Sequence, residues 1–231
     1  MQTDHLLVVT ATGVAAVLVP LLVRGRAWGF RGRVARAAFA TLLVASVTGY
    51  LGMAAHSREI GLLDLLPFHL CDMAIFVAIA ALLTLDLRAC EILYYWALAG
   101  STLAIATPDV GGGFPDWRWI AYFTAHGLVV VSATTLVFGL GRIPRPGSSR
   151  RVFLLTVVYA AIVAIIDLAT GANFLYLARK PAEPTLLDDF GPWPIYIGVA
   201  AMVAFGLFTL LELPLGRLRG RTEAAAGGRG D

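Results

Sequence analysis

At 231 residues, 58% of them hydrophobic and only 14% charged, the chain is too apolar for a soluble domain, which usually carries about a quarter charged residues. The net charge of +3 comes from arginines that flank apolar runs, so it does not point to nucleic acid. A mean hydropathy of +0.78, with no connection long enough for a second folded domain, predicts an all-α, polytopic membrane protein built as a bundle of seven transmembrane helices.

In chain order, the first apolar run covers 6–23. Arginines follow it rather than precede it, the wrong order for a cleavable signal peptide. The second span covers 35–55, where Ala45, Ser46, Gly49, Gly52, Ala54 and Ala55 suit close helix packing. Residues 56–66 form a short loop with Arg58, Glu59 and Asp64, and the third span covers 68–85. The fourth covers 92–106, with Tyr94, Tyr95 and Trp96 as an interfacial belt. Thr107 to Asp116 is rich in turn formers. The fifth span covers 117–140 and the sixth 152–170. A long polar connection, 171–190, holds Asn173, Tyr176, Arg179, Lys180, Glu183, Asp188 and Asp189. The seventh span opens at Gly191-Pro192-Trp193-Pro194 and ends near 213. Residues 1–216 read as the membrane domain and 217–231 as a disordered Arg/Gly/Ala-rich tail.

Basic residues set the orientation. Of the 18 Lys and Arg, 14 fall on one side of this topology and 4 (Arg58, Arg118, Arg179 and Lys180) on the other. The positive-inside rule then places the N-terminus outside and the C-terminus on the cytoplasmic side of the membrane. Residues 67–72, 107–118 and 173–193 all fall at the outer face, where they gather most polar residues that are not simple flanking arginines. A site opening outward is expected.

Within it, Pro67-Phe68-His69-Leu70-Cys71-Asp72 puts an imidazole, a thiol and a carboxylate at the mouth of a membrane helix, where each is costly. With Pro67 near the first helical position, Cys71 falls in the first turn, facing the positive end of the helix dipole. Such a thiol is either a nucleophile or a small buried hydrophobe. His126 in the fifth span lies roughly 12 Å below Arg118, and Cys71 about 6 Å below Pro67, so the two depths can match if the helices are neighbours. A Cys–His pair can supply a nucleophile and its general base; alternatively, His126 bridges two helices in the core. His69 and Cys71 are two apart and face nearly opposite ways, whereas His69 and Asp72 share a face. The set His69, Cys71, Asp72 and His126 matches no standard ligand spacing, so no metal is expected. Cys71 and Cys90, almost 30 Å apart along one helix, cannot form a disulfide. Asp167 either accepts a hydrogen bond from His126 or caps its helix. Arg179 and Lys180 either hold a lipid phosphate or snorkel to headgroups. Asp109, Asp116 and Arg118 are expected to pair with one another and order the outer loop.

The motifs at 67–72, Tyr95-Trp96 with Gly100, Thr107-Pro108-Asp109, Phe114-Pro115, Phe123 with His126-Gly127, Asn173, Arg179-Lys180-Pro181 and Gly191-Pro192-Trp193-Pro194 together resemble the YwaF-like family of bacterial integral membrane proteins. The resemblance covers roughly 35–214. That family is similar to a vertebrate transmembrane cysteine acyltransferase that moves acyl chains between glycerophospholipids, notably into ether lipids. The resemblance implies a catalytic Cys71 and His126, with His69, Asp72, Asp167 and Asn173 supporting them. Ala125 stands where relatives often carry a serine, so a hydroxyl beside the imidazole is missing. The expected activity is acyl transfer or ester hydrolysis through a thioester, without a cofactor, on membrane phospholipids and lysophospholipids. Arg179, Lys180 and Arg118 would hold the headgroup. The other class that fits is a non-catalytic transporter, sensor or scaffold.

Overall fold

The computed structural model describes residues 3–25, 27–56, 61, 63–110, 112–182 and 184–227; Arg58, Glu59 and Glu183, named above, lie outside them. Its elements are α1 (Thr3–Val23), α2 (Phe30–His56), α3 (Leu70–Thr84), α4 (Leu87–Ala106), α5 (Trp117–Gly139), α6 (Ser148–Thr170) and α7 (Ile195–Gly227), with no strand among the described residues. Six of these are long and apolar enough to cross a membrane. The exception is α3, which has 15 residues where seven full spans are expected. The tail expected from residue 217 is helical as far as Gly227, past Pro214.

α4 and α5 form the centre, and over half of each lies buried within the bundle. α1, α2 and α3 pack on α5, whereas α6 and α7 pair with each other and meet the opposite flank of α4. The outer helices expose apolar surface along most of their length, Leu168 and Leu154 among them, as expected of residues that face lipid. Close approach is built in where α1 crosses α5. A Cβ on Gly139 would lie 2.9 Å from Pro20 Cα and 2.8 Å from Val23 Cγ2, so only glycine fits there. Both central helices carry a π turn, at Trp96–Ser101 and Thr135–Gly139.

Helix starts explain most differences from the expected spans. α4 begins at Leu87 because the Asp86 side chain caps it, accepting from Ala89 N–H at 2.9 Å. The charged residues that argue for a later start, Arg88 and Glu91, are inside the helix. α3 begins at Leu70 with His69 as its N-cap in extended conformation. Pro67 therefore precedes the helix instead of opening it.

The shortness of α3 positions the site. It runs antiparallel to α4 from a tight connection at Leu85 and Asp86. Its 15 residues rise about 22 Å and the 20 of α4 about 30 Å. The entrance to α3 thus lies about 8 Å short of the far end of α4. A second marker agrees: Tyr159, midway along α6, donates its hydroxyl to the Phe68 carbonyl at 2.8 Å. At its other end α3 closes on a left-handed Leu85 (φ 56). There Arg36 donates to the Leu82 carbonyl at 3.0 Å and Arg142 to that of Leu85, which satisfies carbonyls the helix itself leaves open.

Candidate active site

Cys71 is the second residue of α3, in its first turn. It is half-buried, not in a disulfide, and makes no hydrogen bond among the described residues. His126 is buried on α5, which packs directly against α3. Its Nδ1 lies 2.7 Å from the Tyr122 carbonyl. A carbonyl only accepts, so Nδ1 carries the proton and Nε2 of the neutral ring is left as the base. The imidazole stacks on the Tyr122 ring with centroids 4.1 Å apart.

Tyr122 holds the imidazole through its ring and its carbonyl. Its hydroxyl lies within electrostatic reach of Cys71 and donates to the Ala104 carbonyl at 3.0 Å. That carbonyl has no helical donor, because the residue four further on is Pro108, which lacks an N–H. Tyr122 thus ties α5 to the end of α4. It sits one helical turn before His126, so helical spacing would have found it, whereas its reach toward Cys71 had no sequence signal. The place of the missing serine hydroxyl is not refilled at position 125. The Thr12 hydroxyl of α1 lies 3.1 Å from where a Cβ on Gly127 would stand.

In the same turn, Asp72 lies within electrostatic reach of His69. Tyr159 approaches the same carboxylate. The His69 ring lies against Phe174 and Tyr176, with centroids at 5.4 and 5.5 Å.

Residues 173–179 fold down over the recess that the short α3 leaves. Non-helical backbone at such a depth is tolerated where protein surrounds it. Asp167 anchors it: one carboxylate oxygen accepts from Phe174 N–H at 2.9 Å, and the other is buried with no partner among the described residues. Of the two roles expected for Asp167, it therefore takes neither the bond to His126 nor a simple cap. Asn173 clamps the loop, accepting from Ala178 and Arg179 N–H at 3.1 and 3.0 Å and donating to the Arg179 carbonyl at 2.9 Å. Tyr176 donates its hydroxyl to Asp109. Burial, and then this carboxylate, push the Tyr176 phenol far above its usual range, so it remains a donor at any physiological pH. Asp109 is thus taken by Tyr176 and not by Arg118. Asp116 caps α5 through Arg118 N–H at 2.7 Å.

A cleft of about 490 Å³ opens above this loop, lined by His69, Asn173, Phe174, Tyr176, Arg179 and Leu63 among others. Arg179 lines it; the other two expected headgroup residues do not. Lys180 turns to Asp188, 3.7 Å from its carboxylate, and over the Tyr196 ring. Arg118 lies against Trp117. Among the described residues, no three His, Cys, Asp or Glu side chains converge as metal ligands.

The model of the TMEM164 family matches residues 1–212. The chain belongs to the TMEM164 family. Comparison with curated proteins and with solved structures returns no match. The family match takes in α1, which the motif resemblance left out, and stops inside α7. Together with the apolar helices it makes this TMEM164-family chain a multi-pass membrane protein.

Proposed function

We propose that this chain is a membrane-embedded cysteine acyltransferase, or an ester hydrolase of the same mechanism, of the bacterial, YwaF-like kind. In this reading α3 is a seventh, shortened span, the N-terminus is outside, and the site opens on the outer face. One observation carries the proposal: a thiol in the first turn of a recessed helix lies on an element packed against the helix that buries an imidazole with a free Nε2. In the resting structure the thiol is not hydrogen-bonded, so the pair closes on binding substrate; contacts of this kind often tighten only in the complex.

The chemistry balances without a cofactor. His126 Nε2 takes the Cys71 proton as sulfur attacks the carbonyl carbon of an acyl ester, and the carbonyl electrons move onto oxygen. Collapse breaks the ester C–O bond, His126 returns its proton to the leaving alkoxide, and a thioester remains on Cys71. A lysophospholipid hydroxyl, or water, then attacks the thioester with His126 again as base, which releases the product and restores the thiol. Arg179, at the mouth of the cleft, would pair with the headgroup phosphate; Lys180 and Arg118 are engaged elsewhere and would contribute less.

The test is incubation of membranes containing the protein with a phospholipid labelled in its acyl chain. The label should appear on wild-type Cys71, be released by hydroxylamine as a thioester is, and be absent from Cys71→Ala. Labelling of Cys71→Ala equal to wild type would falsify the proposal. Full complementation of a deletion strain's lipid profile by Cys71→Ser would instead favour a transporter or scaffold.

A further inference from the structure

The left-handed backbone among the described residues is concentrated in the segment that packs on His69, two positions before Cys71. Only three non-glycine residues among those described have positive φ, and two of them are the neighbours Leu175 and Tyr176, both at φ 56. Bulky side chains rarely adopt this conformation, and they keep it only where the surroundings over-determine it. Here the constraints come from four separate elements. The Tyr176 hydroxyl donates to Asp109, in the α4–α5 connection, and the Tyr196 hydroxyl of α7 donates to the Tyr176 carbonyl. Phe174 N–H is held by Asp167 of α6 at 2.9 Å and Leu175 N–H by His69 before α3 at 3.4 Å. The segment leaves α6 through Gly171, a left-handed glycine (φ 74) with open space where a Cβ would stand.

On the reading that Cys71 accepts an acyl group, we propose that residues 174–177 are a strained gate over it. Closed, the gate separates the cleft beside Arg179 from the thiol. Release of the Asp109 and Tyr196 latches lets Leu175 and Tyr176 relax to ordinary backbone, and the segment swings on Gly171. The cleft then opens onto Cys71 and admits the substrate ester. Strain relief offsets part of the cost of the lost hydrogen bonds, so the open form lies close in free energy to the closed one. A fixed plug with the same contacts would have no use for the strain.

The two terms are tested by changing them separately. Full-length protein in native membranes is treated with iodoacetamide, and alkylation of Cys71 and Cys90 is followed by peptide mass spectrometry. This readout needs no acyl transfer. Tyr176→Phe and Tyr196→Phe keep their rings and lose one latch each, so Cys71 should react roughly five- to tenfold faster in either. Leu175→Asn accepts the left-handed conformation more readily without glycine's extra freedom, so the closed gate is favoured and Cys71 should react about threefold more slowly. Buried Cys90, near Arg142 at the other end of the bundle, should stay unreactive throughout. Wild-type rates in both Phe variants, faster reaction of Leu175→Asn, or a parallel rise at Cys90 would each overturn the gate. Gated alkylation of a Cys71 that takes no acyl label sinks the enzymatic reading alone; an acylated Cys71 with ungated alkylation sinks the gate alone.

Discussion

The two ends of the bundle treat their polar groups in opposite ways. At the arginine-rich end, Glu91 is 3% exposed. It accepts two side-chain bonds from Arg145, at 2.8 and 2.9 Å, and one from the Arg145 N–H at 2.7 Å, with Arg151 at 3.5 Å. Glu212 of α7 collects Gly147 N–H, Ser149 N–H, the Ser149 hydroxyl and Arg219, so it holds the start of α6 as a capping side chain would. Each of these four carboxylate oxygens has a donor. At the thiol end Asp167 has an oxygen with no partner among the described residues, Cys71 makes no hydrogen bond among them, and two bulky residues sit in left-handed backbone. The arginine-rich end has its own left-handed residue, Leu85, and buried Nε atoms of Arg36 and Arg142 with no partner among the described residues; the contrast lies in the carboxylates, fully paired at Glu91 and Glu212 and half-paired at Asp167.

This contrast can be broken by substitution. Cys71→Ala should cost acyl transfer a thousandfold or more, on the order expected for a missing nucleophile, with the melting temperature in detergent unchanged. Arg145→Ala should do the reverse. It leaves buried Glu91 short of its best partner and should destabilise the bundle, read as a lower Tm, with little effect on the chemical step in protein that remains folded. Gly139→Ala must push α1 away from α5 at Pro20 and should cost about 1–3 kcal/mol. The same change at Gly127 meets only the movable Thr12 side chain and should cost under about 1 kcal/mol. A Gly127→Ala protein as damaged as Gly139→Ala would show that α1 is fixed along its whole length. Tyr159→Phe frees the Phe68 carbonyl at a cost of about 1 kcal/mol. Because that bond sets the height of α3, catalytic rate should fall more than Tm does.

The all-helical, membrane-long character of the chain and the first-turn place of Cys71 were legible in the sequence, because hydropathy and a proline just before a helix are local signals. The start of α4 was not legible. Glu91 and Arg88 argue locally for a loop, and the arginine that makes Glu91 acceptable inside a helix lies 54 positions away. The polar clamp of Glu91 and Glu212 was hidden for the same reason, since the arginines around it look like ordinary flanking charges. Asp109 illustrates the limit most clearly. Asp116 and Arg118 are near in sequence and chemically suited to it, yet its partner is Tyr176, 67 positions away. Backbone strain at Leu175 and Tyr176 leaves no trace in composition at all.

The shortness of α3 also bears on how substrate would be found. On the proposed reading, the thiol stands at the depth where a resident phospholipid already carries its ester groups. No lipid has to be lifted into water to reach it. The search becomes two-dimensional, with lateral diffusion delivering esters at the correct height and at the concentration of the bilayer itself. Such an arrangement selects by position along the membrane normal before any side chain makes contact. A water-soluble short-chain ester, which has no fixed height, would gain nothing from it.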